Sequence, residues 1–165
     1  IGYGKTGKSF AKKLSGFNCN IIFCDIKTNL GDNYAREVKI NELKETSDII
    51  SLHTNLNQSS HHIIDKQFMA DCKKSFCLIN TARGECVSND DLIHGLESGK
   101  ILGAGLDVLE NENKDFKGMS DDQNLDKLKK IENVILTPHI AGWSNESKIK
   151  LAQITVDKIK EFLDL

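Results

Sequence analysis

Short, nearly continuous apolar runs alternate along this chain with stretches whose apolar positions recur at helical spacing. Residues 20–25 (NIIFCD), 48–53 (DIISLH), 76–80 (FCLIN), 102–108 (LGAGLDV) and 133–137 (NVILT) are too short for core helices. They read as strands covered on both faces. Between them, residues 6–14, 40–46, 65–72 and 89–98 carry helical periodicity, with Ser88 or Asn89 as a cap and Gly99 as a stop. Residues 147–165 predict one long amphipathic helix with Ile149, Ala152, Ile154, Val156, Ile159 and Phe162 on its apolar side. Residues 111–130 are charged and nearly free of apolar side chains before Leu125, which predicts a surface loop with a short helix. Strands alternating with helices imply βαβ units and a parallel, doubly wound α/β sheet. One domain over residues 1–165 is expected, without repeat or linker. Ile1 opens straight into a glycine-rich turn, so a sheet truncated at its N-terminal central strand is expected, with Ile1 the last residue of that strand.

The 165 residues carry a net charge of −2, with Lys and Arg interleaved among Asp and Glu. That pattern argues against a nucleic-acid partner. No apolar run is long enough to span a bilayer as a helix. The five cysteines form no CxxC pair, and two of them lie inside apolar runs; reduced thiols in a cytoplasm are the expectation.

Candidate chemistry gathers where strands end, which is where doubly wound sheets place their ligands. Gly2-Tyr3-Gly4-Lys5-Thr6-Gly7 is a GxGxxG that enters a helix-patterned stretch at once. Its glycines allow a tight turn, close approach to a pyrophosphate and close helix–strand packing. Asp25 stands 18 residues after Gly7 at the end of the next strand, where a carboxylate can accept from ribose hydroxyls and repel a 2′-phosphate. NAD is thus favoured over NADP, although Lys27 nearby leaves an opening for the latter. Arg83 follows the 76–80 strand, Asp107 closes the 102–108 strand, and His139 follows the 133–137 strand. Taken singly, Arg83 reads as a surface ion pair and His139 as structural; three such residues at three strand ends point to a site. Trp143 either walls that site or packs against a neighbouring domain or subunit. His61 and His62 have no carboxylate or Cys at ligand spacing, so no metal site is expected.

The segments GYGKTGKSFAKKL, SLHTNLNQSSHHII, LINTARGE, GKILGAGLDVLENE and ILTPHIAGW resemble the NAD-binding Rossmann domain of the D-isomer-specific 2-hydroxyacid dehydrogenases, in order and spacing. The resemblance implies a catalytic Arg83, Glu112 and His139. The family glutamate falls five residues after the strand-end aspartate, which selects Glu112 over Glu110. It also implies nucleotide contacts from Gly2, Gly4, Lys5, Thr6, Gly7, Asp25, Thr54, Asn55, Ser60, Thr81, Ala82, Arg83, Asp107, His139 and Gly142. The implied substrate is a D-2-hydroxyacid or 2-oxoacid, with 3-phosphoglycerate one member of the class, and a homodimer is implied around residues 101–109 and 135–143. The substrate domain of the family is expected to be absent from this chain. NAD-sensing corepressors with the same triad form the alternative, as binding modules. A formate-dehydrogenase-like reading is disfavoured, since that relative pairs Gln with the histidine. Two departures stand out: residues 54–60 lack the family's prolines, and Asn113 stands where proline is common.

Overall fold

The computed structural model describes residues 1–110, 112 and 123–164. Element order is α1 (Lys5–Leu14), β1 (Ile22–Phe23), β2 (Arg36–Glu37), α2 (Ile40–Thr46), β3 (Ile49–Leu52), α3 (Lys66–Asp71) and β4 (Phe76–Asn80). Then come α4 (Asn89–Glu97), β5 (Ile101–Leu106), α5 (Gln123–Leu128), β6 (Val134–Leu136) and α6 (Asn145–Phe162), with short 3-10 turns at Ser15–Phe17 and Gly84–Cys86.

Helix starts follow local chemistry. Asp65 and Ser88 accept from the amides of Phe68 and Asp91, satisfying first-turn donors of α3 and α4. Ser144 and Ser147 cap α6 reciprocally. Gly99, at φ 72°, turns the chain after α4 in a conformation that suits glycine.

Strands β3-β4-β5-β6 form one parallel sheet in that order, and β1 pairs with β2 in parallel. The two are joined through Ile1 and Gly2. Ile1 donates to Ser51 O (2.7 Å) and accepts from the His53 amide (2.8 Å), while the Gly2 amide donates to Cys24 O (2.8 Å). Chain direction therefore diverges to either side of the glycine turn, the switch point at which such sheets bind ligands. The main core surrounds β4, where Phe76 and Leu78 are wholly buried with Leu52, Ile64, Leu92, Ile101 and Leu128. Tyr3 and Phe23 stack at 3.8 Å in a smaller cluster beneath α1.

The strand and helix expectations hold in kind: β4 fills its expected residues, β1, β3 and β6 are shorter than expected, and β5 starts one residue earlier and ends two earlier. One element was not anticipated: β2 is two polar residues long and exists through its pairing with β1. In α6 every described side chain except Ser147 is exposed, so its apolar side has no cover among the described residues. The short helix expected within 111–130 is α5, and Leu125 and Leu128 enter the core. Asn113 and the last residue of the expected final helix, Leu165, lie outside the described residues.

Candidate active site

The glycine turn is built for a close approach. A Cβ on Gly7 would sit 2.4 Å from Gly2 O, and one on Gly2, at φ 90°, would sit 2.6 Å from His53 O. Gly4 faces open space, and Lys5 and Thr6 are exposed in the first turn of α1. A backbone ligand or anion can thus reach the positive end of α1. Asp25 ends the strand opposite. Its Oδ2 accepts from the Tyr3 amide (2.6 Å) and its Oδ1 from the Lys27 amide (2.9 Å). Burial would raise this carboxyl, but the amides of Lys27, Tyr3 and Ile26 outweigh burial and hold it below the ordinary range. Tyr3 also donates its hydroxyl to Asp32 (2.8 Å), and burial followed by that carboxylate pushes the phenol up to about 12.

The loop after β3 is closed on itself. Ser60 is buried, donating its hydroxyl to Asn55 O (2.6 Å) and accepting from the Asn57 amide (2.9 Å). Its hydroxyl therefore shapes the loop from within, leaving Thr54 and Asn55 nearer the surface; Thr54 Oγ1 lies 3.5 Å from Cys86 Sγ.

Buried Asn80 ends β4 and shapes the loop that carries Arg83. Its Oδ1 accepts from the Ala82 amide (3.1 Å) and its Nδ2 donates to Arg83 O (2.9 Å). Thr81 and Arg83 are exposed, Ala82 is buried, and Arg83 donates to Ala82 O (2.6 Å). Sequence reasoning passed over Asn80, although a polar residue closing an otherwise apolar strand is a visible signal.

Asp107 organises the loop after β6. Only 5% exposed, it accepts from Thr137 Oγ1 (2.5 Å), the Ile140 amide (2.9 Å) and the Ala141 amide (2.9 Å). Burial would raise its carboxyl, but the Thr137 hydroxyl and the two amides hold it below the ordinary range. The His139 amide donates to Asp107 O (2.8 Å), and His139 sits in the left-handed region at φ 52°. Its Nδ1 lies 3.0 Å from Glu112 Oε1, with the glutamate side chain mostly buried and the imidazole partly exposed. Gly142 faces open space and accepts from Ser147 Oγ.

Glu110 does not meet His139. One of its oxygens meets His62 Nε2 and the other accepts from the Asn89 amide (3.0 Å). No cluster of three or more metal-ligating side chains occurs among the described residues. The loops after β4, β5 and β6 thus present Arg83, Glu112 and His139 on the same sheet end as the glycine turn: a cation, a carboxylate-paired imidazole and an open helix start. That set can fix an anion, move a proton and cradle a pyrophosphate.

Residues 1–141 match the family described as D-isomer specific 2-hydroxyacid dehydrogenase, NAD binding domain. The chain is 35% identical over 167 residues to a D-specific alpha-keto acid dehydrogenase of Enterococcus faecium, covering 98% of this chain and 51% of that protein. It is 36% identical over 163 residues to a D-lactate dehydrogenase of Staphylococcus aureus, covering 93% and 48%. Among solved structures, the NAD-complexed D-isomer specific 2-hydroxyacid dehydrogenase from Lactobacillus delbrueckii ssp. bulgaricus superposes with a TM-score of 0.87 at 32% identity, covering 97% of this chain and 51% of that one. The chain spans about half the length of the curated relatives it matches.

Proposed function

The chain belongs to the NAD-binding domains of the D-isomer specific 2-hydroxyacid dehydrogenases, and on that premise we propose that it is the cofactor-holding part of an oxidoreductase interconverting a D-2-hydroxyacid and its 2-oxoacid. The observation that carries the reading is the 3.0 Å contact between Glu112 Oε1 and His139 Nδ1. It uses Nδ1 and leaves Nε2 as the ring nitrogen to meet a substrate oxygen.

The residues fit NAD. Gly2, Gly4 and Gly7 open the start of α1 to a pyrophosphate, with Lys5 and Thr6 beside it, and Asp25 offers an ionised carboxylate to ribose hydroxyls. Thr54, Asn55, Thr81, Ala82 and Gly142 are the further nucleotide contacts in this reading. Bound NAD supplies or takes up the hydride at the substrate's C2. Arg83 holds the substrate carboxylate and stabilises charge on the carbonyl oxygen. His139 donates a proton to that oxygen in reduction and takes it back in oxidation. Glu112 orients the ring through its contact with Nδ1.

The substrate class is a 2-oxoacid, and the phosphorylated precursor of 3-phosphoglycerate belongs in the panel that tests it. The intact protein is proposed to be a cytoplasmic homodimer. Exposed Leu102 and Ile135 offer an apolar surface on β5 and β6, and all five cysteines are free thiols. No described helix is long and apolar enough to cross a membrane. Full-length protein is assayed against pyruvate, glyoxylate, aromatic 2-oxoacids and 3-phosphohydroxypyruvate while NADH absorbance is followed. Turnover of at least one is expected, and His139→Ala should abolish it while NADH still binds. Tight NADH binding and NADH-dependent dimerisation without turnover of any 2-oxoacid would replace this reading with the corepressor-like one.

A further inference from the structure

A second histidine–carboxylate pair stands beside the Glu112–His139 pair, and the proposed reaction leaves it without a task. Glu110 spans two loops. Its Oε1 meets His62 Nε2 in the loop after β3, and its Oε2 accepts from the Asn89 amide at the start of α4. Its side chain is only 20% exposed.

The surroundings show what this pair is joined to. The His62 amide donates to Glu85 O (2.8 Å), and the next residues run beside the Arg83 loop through Ile64 N to Cys86 O (3.1 Å) and Ser88 N to Ile64 O (3.1 Å). Gly84 presses against the Leu109–Glu110 backbone so closely that a Cβ would fall 1.9 Å from Leu109 O. The Glu112 amide donates to Leu109 O (3.3 Å). His62 itself holds a left-handed backbone, φ 48°, a region that few residues with a Cβ adopt. The Glu110 carboxylate therefore ties the loop after β3 to the start of α4, while Gly84 of the Arg83 loop packs against the backbone that carries it.

We propose that Glu110 and His62 are positioning residues: the pair clasps the chain at Glu110 so that Glu112 stays on His139 Nδ1. The inference rests on the proposed dehydrogenase reading. A carboxylate gripped at both oxygens has little freedom to slide. Without that grip the described contacts left here are the Leu109 packing against Gly84 and the 3.3 Å bond from the Glu112 amide to Leu109 O. A displacement near 1 Å at an acid–base pair is enough to cost ~100-fold in rate.

The test uses the full-length protein with any 2-oxoacid it turns over. Glu110→Ala and His62→Ala should each lower kcat ~10- to 100-fold, leaving NADH affinity by fluorescence titration within about twofold of wild type. Both should move the alkaline limb of the kcat profile to lower pH, in the direction of Glu112→Gln, because the imidazole loses its charged neighbour. Glu110→Gln, which keeps the acceptor for Asn89, should recover most of the rate. Glu97→Gln, which breaks an exposed His–Glu contact on α4, is the control and should change nothing. His62→Ala keeps the Asn89 bond and reports alone if Glu110→Ala does not fold. A loss of thermal stability with kcat and the pH limb in place would overturn the proposal, as would a Glu110→Gln variant no better than Glu110→Ala. If Glu112→Gln itself leaves the limb unmoved, the dehydrogenase reading of that glutamate fails instead.

Discussion

Replacing Asp107 by Asn keeps the side chain's shape and removes one acceptor from a loop that depends on three. Oδ1 takes the Thr137 hydroxyl at 2.5 Å and the Ile140 amide at 2.9 Å, while Oδ2 takes the Ala141 amide at 2.9 Å. The oxygen of an Asn can retain at best the first two, and its NH2 then faces the Ala141 N–H. Losing one hydrogen bond to a charged, buried group costs about 1.5–3 kcal/mol. Weakening the other two from charge-assisted to neutral brings the local loss to about 3 kcal/mol. Such a loss corresponds to a fall of about 100-fold in hydrogen-exchange protection at Ile140 and Ala141. Exchange measured on the full-length protein reads this loop directly, whatever the rest of the chain does. Turnover should fall with it, because the His139 amide is bonded to the Asp107 carbonyl. Wild type should lose the same protection in acid. The carboxyl lies below its ordinary 3.8 in the folded state, so its contribution is present above that value and is lost as pH falls through the lower folded value. A change in protection of less than about threefold in the Asn variant would refute the idea that this carboxylate anchors the loop.

Asp25→Ser should weaken NADH and narrow the gap to NADPH; an unchanged ratio of the two kcat/KM values would remove Asp25 as the discriminator. Gly84→Ala should force the Arg83 loop off Leu109, destabilising the protein by more than about 2 kcal/mol in urea titration and lowering turnover. His53 is pushed down to about 4 from 6.5, chiefly by burial, and its Nδ1 is buried without a partner among the described residues. Protonation then favours the unfolded chain, so stability should decline as pH falls from about 6.5 toward 4, with a ceiling of about 3 kcal/mol. A His53→Gln variant with the same slope over that window in denaturant titrations would assign the loss elsewhere.

The sheet and most helices were legible because their signal is local. FCLIN is a nearly continuous apolar run closed by Asn80, and the 40–46 helix is bounded by its own periodicity; both occupy the expected residues. The pair Arg36–Glu37 carries no such pattern. It becomes a strand only because Ile21 O and Phe23 O face the amides of Arg36 and Val38, a fact about tertiary placement. In the site, the family resemblance selects Glu112 through its place five residues after Asp107, and the structure sets that carboxylate 3.0 Å from His139 Nδ1. The uses of Ser60, Asn80 and Glu110 were not legible. Each is a hydrogen bond across a turn or between loops, and sequence spacing says nothing about which backbone amide ends up opposite.

His139 holds its ring at the sheet end from a backbone turned into the left-handed region, a conformation that costs glycine nothing and a residue with a Cβ something. A library of variants selected only for resistance to heat is therefore free to drift there toward Gly, relaxing the turn and discarding in one step the imidazole that meets Glu112. Robustness alone is a poor screen for variants of this loop.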